Sequence, residues 1–170
     1  MQASALARLI DHTLLKPDAT RAAVEALCRE ALEHRFGAVC VQPSRVAQAH
    51  DLLLGSDVRV VSVVGFPHGA TEGDVKRFET ETVIDLGAQE VDVVLNIGLL
   101  NDGGDRLVLR ELRDVVEAAD EIPVKVILET ALLTEAEKRR ACSLAVEAGA
   151  RFVKTSTGYG PGGATVEDVR

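Results

Sequence analysis

The sequence lacks the features of a nucleic-acid-binding or membrane-embedded chain. Its formal net charge is −8 and its pI is near 5.0, whereas nucleic-acid backbones and anionic membrane surfaces attract clustered Lys and Arg. No apolar run approaches the ~18 residues that a membrane span needs, and the N-terminus carries no export signal. We therefore expect a cytoplasmic protein whose main partner is a small molecule, not nucleic acid or a membrane.

Cysteine and histidine are few and are not spaced for disulfide or metal chemistry. Cys28, Cys40 and Cys142 are far apart, which is typical of reduced thiols. Cys40 is most simply a small buried apolar group, and a thiol near a functional site is the alternative. The four histidines show no ligand spacing, so we expect no metal site.

The chain instead repeats one unit, a short β-branched apolar run followed by a helix. A length of 170 residues and 46% hydrophobic content predict a single domain over residues 1–170 with a real core. Six nearly continuous apolar runs predict strands of a parallel sheet covered on both faces. These strands are residues 9–15, 38–42, 58–64, 90–96, 123–129 and the run that contains Lys154.

Threonine and glycine mark the ends of the predicted helices, and a short helix can precede the first strand. Threonine is a good N-cap, and an acidic residue three positions later completes a capping box, while glycine commonly ends a helix. The predicted caps are Thr20, Thr71 with Asp74, Thr134 with Glu137, and Thr165 with Asp168, and the predicted ends are Gly37, Gly87 and Gly149.

Two architectures fit this repeat, a doubly wound open sheet and a (β/α)8 TIM-type barrel. Asp11, Asp92, Lys125 and Lys154 each fall inside a predicted strand. An open sheet leaves strand interiors little room for charge, whereas the upper layer of a barrel interior forms the floor of an active site. We therefore favour the barrel. A barrel closes with eight strands, so two βα units are expected to be missing from the C-terminal end.

Lys154 is the most informative of these polar residues, because its strand opens into a glycine-rich turn. A buried ammonium is costly, so such a lysine is either paired or has a pKa lowered until the amine is neutral and nucleophilic. The neutral amine is what Schiff-base enzymes use. A structural ion pair, or a lysine reaching the surface from a strand end, is the alternative.

The chain resembles the deoxyribose-phosphate aldolases, class I aldolases with a barrel fold, over its whole length. The matching segments, in order, are residues 10–16 (IDHTLLK), 38–40 (AVC), 64–69 (VGFPHG), 90–94 (EVDVV), 124–130 (VKVILET) and 152–158 (FVKTSTG). The resemblance implies reversible cleavage of 2-deoxy-D-ribose 5-phosphate into D-glyceraldehyde 3-phosphate and acetaldehyde, without metal or organic cofactor. It also implies that Lys154 is the Schiff-base lysine and that Asp92 donates or accepts protons beside it.

Further residues have supporting assignments, each with a structural alternative. Lys125 is expected to orient Asp92, or the two form a purely structural pair. Asp11 and Thr13 are expected to bind substrate hydroxyls or to tie strands together. The turn that begins at Thr157 and Gly158 is expected to contribute to substrate or phosphate binding through its amides and the following helix, or to be a simple turn.

The sequence also departs from the family it resembles. The resemblance implies a second catalytic lysine on a seventh strand and phosphate-binding loops after strands seven and eight, and the sequence contains none of them. We therefore expect the chain as printed to self-associate as a homo-oligomer or aggregate and to be nearly inactive on the phosphorylated substrate. Two other readings stay open: a non-catalytic barrel fragment that folds only on association, and a nucleotide-binding protein using the glycines of residues 158–163.

Overall fold

The computed structural model describes residues 3–170, in which parallel strands alternate with helices. The six strands are β1 (Asp11–Leu14), β2 (Ala38–Val41), β3 (Arg59–Val64), β4 (Glu90–Val94), β5 (Val124–Ile127) and β6 (Phe152–Lys154). The helices are α1 (Ala3–Ala7), α2 (Arg21–His34), α3 (Val46–Leu53), α4 (Gly73–Asp85), α5 (Ile97–Asn101), α6 (Asp105–Ala119), α7 (Glu135–Ala148) and α8 (Val166–Val169).

The strands follow one another in the sheet in chain order, β1-β2-β3-β4-β5-β6. Between β3 and the start of β4, the amide of Gln89 donates to the Val60 carbonyl at 2.7 Å, and the Val60 amide donates to the Gln89 side chain at 3.2 Å. A doubly wound sheet reverses its strand order partway, and this sheet does not. The predicted α/β fold of TIM-barrel type, with six βα units in this chain, is confirmed.

The contacts within the chain fall into two compact units, and the single domain over residues 1–170 stays a prediction. The first unit comprises the residues up to 63 together with 82–90, and holds β1, β2 and most of β3. All four residues of β2 are buried, and α2 packs with one face inward. The buried residues of α2 are Val24, Leu27, Cys28 and Ala31.

Helix α2 begins where predicted and ends elsewhere. The Thr20 hydroxyl accepts a hydrogen bond from the Ala23 amide at 3.2 Å, as an N-cap does. The predicted end at Gly37 is wrong, because Arg35 adopts the left-handed conformation (φ 54) and caps the helix with its own amide. Gly37 is required for another reason, since a Cβ there would lie 2.3 Å from the Arg8 carbonyl oxygen.

The second unit comprises residues 64–81 and 91–170 and holds most of β4 together with β5 and β6. The capping box of Thr134 and Glu137 at the start of α7 is confirmed, as is the end of α7 at Gly149, which has a φ of 92. The Thr165 hydroxyl accepts from the Asp168 amide at 3.1 Å and caps α8 as predicted.

The predicted capping box of Thr71 and Asp74 is wrong. Helix α4 begins at Gly73, one residue later than a cap at Thr71 requires, and the Lys76 amide donates to the Glu72 carbonyl. With the helix starting at Gly73, Glu72 takes the position of the N-cap and Thr71 precedes it.

The strands of the sheet differ in how far they are buried. Every residue of β4 is buried, as expected for a strand between two covered faces. In β6, Phe152 and Val153 are each 47% exposed, so the strand that contains Lys154 is half open to solvent. No helix among residues 3–170 has the length and apolarity needed to cross a bilayer.

Candidate active site

Asp92, in the middle of β4, is fully buried and accepts hydrogen bonds from two lysines. Its Oδ1 accepts from Lys125 Nζ at 2.8 Å, and its Oδ2 accepts from Lys154 Nζ at 3.1 Å. A buried carboxylate is tolerated only when it is well paired, and here both oxygens have a cation. The structure therefore brings together the three strand residues that the sequence singles out in this unit.

Strand register explains how these groups meet. Asp92 pairs with Lys125 across β4 and β5, and Lys125 pairs with Phe152 across β5 and β6. Lys154 lies two residues beyond Phe152, and residues two apart on a strand point to the same face. The three side chains consequently share one face of three adjacent strands, and the long lysine side chain spans the two-residue offset.

The two lysines differ in their access to solvent. The Lys125 side chain is 13% exposed and lies over the Phe152 ring with Nζ 5.9 Å from the ring centroid, whereas the Lys154 side chain is 30% exposed. A small aldehyde can approach Lys154 more readily, and Lys125 makes the shorter bond to Asp92. The geometry thus separates a reachable amine from a more enclosed ammonium that holds the carboxylate.

The loop after β6 is held by Glu129, which is not among the predicted site residues. The amide of Thr157 donates to Glu129 Oε2 at 3.2 Å, and the Thr157 hydroxyl donates to the same oxygen. The Thr157 hydroxyl in turn accepts from the Tyr159 amide at 3.0 Å. Thr157 is therefore turned towards Glu129, and its hydroxyl proton is already used within the protein.

Glu129 lies two residues after the end of β5, is 4% exposed and has a positive φ of 55. A carboxylate within a predicted apolar strand is the signal that marks Asp92, and Glu129 falls within the predicted strand 123–129, so the sequence could have revealed it. The loop also requires its glycines, since Gly158 has a φ of 81 and a Cβ on Gly160 would lie 2.7 Å from Glu129 Cδ.

A second loop contacts this one through an aromatic pair. Phe66, in the loop after β3, packs edge-on against Tyr159 with ring centroids 5.3 Å apart and an interplanar angle of 85°. Such T-shaped pairs are favourable because the positive ring edge meets the negative ring face. The pair joins the loops that follow β3 and β6.

The loop after β3 is fixed from below by Lys76 of α4, which is completely buried. Lys76 Nζ donates to the Gly69 carbonyl at 2.6 Å, to the Val94 carbonyl at 2.9 Å and to Glu111 Oε1 at 2.5 Å. Burial lowers the pKa of Lys76 and raises the pKa of Glu111, while the attraction between the two charges opposes both shifts. All three ammonium protons of Lys76 therefore have acceptors. One of these acceptors, the Val94 carbonyl, lies at the end of β4, two residues beyond Asp92.

Asp11 and Thr13 lie on β1 in the first unit. The Thr13 hydroxyl donates to the Asp11 carbonyl at 2.8 Å, and Thr13 pairs in register with the buried Cys40 of β2. The burial of Cys40 agrees with its interpretation as a small apolar group. The roles of Asp11 and Thr13 in substrate binding stay predictions.

Helix α8 offers little support for an anion. It has four residues, and its first turn contains Glu167 and Asp168. The Asp168 carboxylate binds Lys138 at 2.5 Å and Thr130 at 3.1 Å. Negative side chains at the helix start oppose an anionic ligand, so any phosphate binding near the glycine-rich loop depends on the loop.

Comparison with known proteins gives consistent matches over nearly the whole chain. Residues 5–170 match the DeoC/LacD family aldolase model. A deoxyribose-phosphate aldolase of Geobacillus sp. is 56% identical over 96% of this chain and 74% of its own length. One of Clostridium perfringens (strain SM101) is 54% identical over 100% of this chain and 76% of its own length.

Solved structures agree with these matches. A crystal structure from Coccidioides immitis has a TM-score of 0.97 and 40% identity, and the match covers 99% of this chain and 67% of that one. A deoxyribose phosphate aldolase from Aeropyrum pernix, described as a unique tetrameric structure, has a TM-score of 0.86 and 37% identity over 93% of this chain and 67% of that one. Sequence and structure together show that the chain belongs to the DeoC/LacD aldolase family.

Proposed function

We propose that this protein is a deoxyribose-phosphate aldolase that works through a Schiff base on Lys154. It cleaves 2-deoxy-D-ribose 5-phosphate reversibly into D-glyceraldehyde 3-phosphate and acetaldehyde. The observation that carries the proposal is the buried Asp92 carboxylate between two lysines, of which Lys154 is the more exposed. The names of the relatives, at 54–56% identity, support the same reaction.

The first step forms the imine. The neutral amine of Lys154 attacks the C1 aldehyde of the open-chain sugar and forms the carbinolamine, whose hydroxyl takes up a proton from solvent and leaves as water to give a protonated imine. The nitrogens of Lys125 and Lys154 both face the single carboxylate of Asp92.

The second step breaks the C2–C3 bond. A base removes the proton of the C3 hydroxyl, the C3 oxygen becomes the carbonyl of glyceraldehyde 3-phosphate, and the bonding electrons move into C1–C2. The iminium nitrogen accepts the displaced electron pair, so the product on Lys154 is a neutral enamine.

The third step returns a proton to C2. Asp92 is assigned as the group that donates and accepts protons beside the enamine, relaying them through the hydrogen bonds it makes with the lysines and through water. Water then adds to the iminium and releases acetaldehyde with free Lys154. Lys125 keeps Asp92 in position throughout, because its 2.8 Å bond fixes one carboxylate oxygen.

Substrate binding is assigned to two regions. The loop that contains Gly158 begins shortly after Lys154, and we assign it to the phosphate end of the sugar. Thr157 holds this loop in place by donating two hydrogen bonds to Glu129. Asp11 and Thr13 are assigned to the substrate hydroxyls, as the family resemblance implies. The reaction as written needs no metal or organic cofactor.

The nucleotide-binding alternative gains no support from the fold. A dinucleotide fingerprint lies between the first strand and a long helix, whereas the glycines of residues 158–163 lead from β6 into a four-residue helix.

We also propose that the protein is cytoplasmic and forms a homo-oligomer. The description of the Aeropyrum pernix relative as tetrameric supports this assembly.

Borohydride reduction in the presence of acetaldehyde tests the Schiff base. Reduction of the imine leaves a stable ethyl group on the reacting lysine, which peptide mass spectrometry locates. We expect the ethyl group on Lys154 and its loss in Lys154→Arg, which keeps the positive charge but forms no imine. An ethyl group on Lys125 instead, or unchanged turnover in Lys154→Arg, contradicts the assignment.

A further inference from the structure

The loop from Thr157 to Gly160 needs an anchor. Glycine loses more conformational freedom on folding than any other residue, and this loop contains Gly158 and Gly160 within four positions. Without a fixed conformation, the amides of such a loop point in many directions and bind an anion weakly. The anchor must therefore come from a side chain outside the loop.

Glu129 supplies that anchor. One of its oxygens, Oε2, accepts hydrogen bonds from both the amide and the hydroxyl of Thr157. The same hydroxyl accepts a hydrogen bond from the Tyr159 amide. Burying a carboxylate costs free energy unless hydrogen bonds compensate, and the compensating donors here belong to the loop. The bonds therefore constrain Glu129 and the loop mutually.

The second oxygen of Glu129 lies beneath Gly160. Oε1 is buried and has no hydrogen-bond partner among residues 3–170. A Cβ at Gly160 would come within 2.9 Å of this oxygen and 2.7 Å of Cδ. Only glycine fits this position without moving the carboxylate, so the loop and Glu129 are matched in shape as well as in hydrogen bonding.

The loop amides that remain are available to a ligand. The amides of Gly158 and Gly160 donate no hydrogen bond to any group among residues 3–170, whereas those of Thr157 and Tyr159 are used within the loop. Unpaired backbone amides in a glycine turn form anion-binding concavities. The Thr157 donors are bound to Oε2 of Glu129, so they are not among the free amides of the loop.

We propose that Glu129 is a positioning residue that fixes the loop of residues 157–160 and thereby sets the preference of the site for a phosphorylated over an unphosphorylated sugar. The inference rests on the proposed aldolase function and deepens it. Glu129 does not touch the reacting atoms. It acts through Thr157 and Gly160 on the amides that meet the phosphate end of the substrate.

The first test compares Glu129→Leu with Glu129→Gln on two substrates, 2-deoxyribose 5-phosphate and 2-deoxyribose. Leucine removes both acceptors, and we expect KM for the phosphorylated sugar to rise about tenfold more than KM for the plain sugar, the effect of about 1.4 kcal/mol expected for one hydrogen bond to an anion. Glutamine keeps an acceptor oxygen for Thr157, so we expect this variant to lie close to the wild type in the ratio of the two KM values.

A second pair of variants substitutes glycines of the loop and leaves Glu129 itself unchanged. Gly160→Ala places its Cβ against Glu129 and should reproduce the Glu129→Leu ratio. Gly163→Ala is the matched control, because a Cβ there has nothing within 4 Å and its φ is not positive. We expect Gly163→Ala to keep the wild-type ratio.

Amide exchange and phosphate affinity test the inference independently of turnover. In the wild type the Thr157 and Tyr159 amides should exchange slowly, and Glu129→Leu should remove this protection and weaken the Kd for inorganic phosphate by about tenfold. Equal KM increases for both sugars, or unchanged exchange and phosphate affinity in Glu129→Leu, overturn the inference. Absence of acetaldehyde trapping on wild-type Lys154 would instead count against the proposed function and leave the exchange and phosphate measurements decisive for Glu129.

Discussion

Lys154 donates a 3.1 Å hydrogen bond to Asp92, and the lysine keeps 30% of its side-chain surface in solvent while the aspartate keeps none. An exposed amine thus reaches a carboxylate that solvent does not reach. The amine can meet a substrate from the open side, and the carboxylate stays dry enough for its charge to act strongly on its neighbours.

Replacing Asp92 with asparagine should reduce turnover by about 100-fold, the lower range for losing a group that transfers protons. The amide has nearly the same shape, but it cannot carry protons or balance the charges of Lys125 and Lys154. Steady-state kinetics of aldol cleavage measures the effect. Glu167→Gln removes an exposed carboxylate elsewhere in the same unit and serves as the control. Turnover within twofold of wild type in Asp92→Asn would remove Asp92 from the mechanism.

Removing the two lysines should give different phenotypes. Lys154→Met abolishes trapping by acetaldehyde and borohydride, because the reacting nitrogen is gone. Lys125→Met slows trapping but leaves the adduct on Lys154, because it removes only the group that holds Asp92. Lys125→Arg should recover part of the rate through its own hydrogen bond to the carboxylate. If Lys125→Met stops trapping completely while the protein remains folded, Lys125 does more than hold Asp92.

The buried pair of Lys76 and Glu111 predicts a large effect on stability. Lys76→Met leaves the Glu111 carboxylate and the carbonyls of Gly69 and Val94 without their donor, and we expect a loss of about 3–5 kcal/mol in the free energy of unfolding. The double variant Lys76→Met with Glu111→Leu removes the unpaired charge and should recover most of it. Urea denaturation measures both, and a double variant no more stable than Lys76→Met contradicts the explanation by unpaired charge.

Asp168 predicts a pH-dependent contribution to stability. Hydrogen bonds from the Lys138 side chain, then from Thr165, hold the pKa of this carboxyl below its ordinary 3.8. A depressed pKa in the folded state means that the unfolded state binds more protons in acid, so the contribution is present above the ordinary pKa and is lost as pH falls through the folded-state pKa.

The variant Asp168→Asn should therefore lower the urea midpoint at pH 7, and the difference from wild type should shrink as the pH falls below about 3.8. Lys138→Met removes the other partner of this ion pair. In a Lys138→Met background, Asp168→Asn should lower the urea midpoint at pH 7 by less than it does in the wild type. A difference that stays constant from pH 7 to pH 3 would mean that Asp168 contributes through packing and not through its charge.

The three central site residues could be predicted because they break a pattern. Asp92, Lys125 and Lys154 are charged positions in apolar strands, and a charge in such a strand needs a partner or a function. The chain order of the strands could be predicted for the same reason, since an open sheet has no interior place for these charges. The sequence also predicts that Lys125 orients Asp92, whereas the two-residue offset that brings Lys154 to the same carboxylate follows from strand register, which the sequence does not state.

Lys76 and Glu111 could not be predicted in this way. Both lie on helices, where charged residues are expected on the outer face, and they are 35 residues apart in the chain. The predicted end of helix α2 is wrong for a related reason, since a tertiary contact decides it. Arg35 replaces Gly37 as the cap of α2 because tertiary contact with Arg8, and not helix termination, is what requires the glycine.

The edge-on contact of Phe66 with Tyr159 joins two loops, each held from beneath by a different buried charge, Lys76 in one case and Glu129 in the other. The loops after β3 and β6 are each bound to a buried charged side chain and contact each other through Phe66 and Tyr159, so few independent motions are left to them. Most of their conformational entropy is therefore lost on folding, before a ligand arrives, and binding need not order them again. Cutting the contact with Tyr159→Ala would return that freedom to both loops at once, although the substitution changes only one of them.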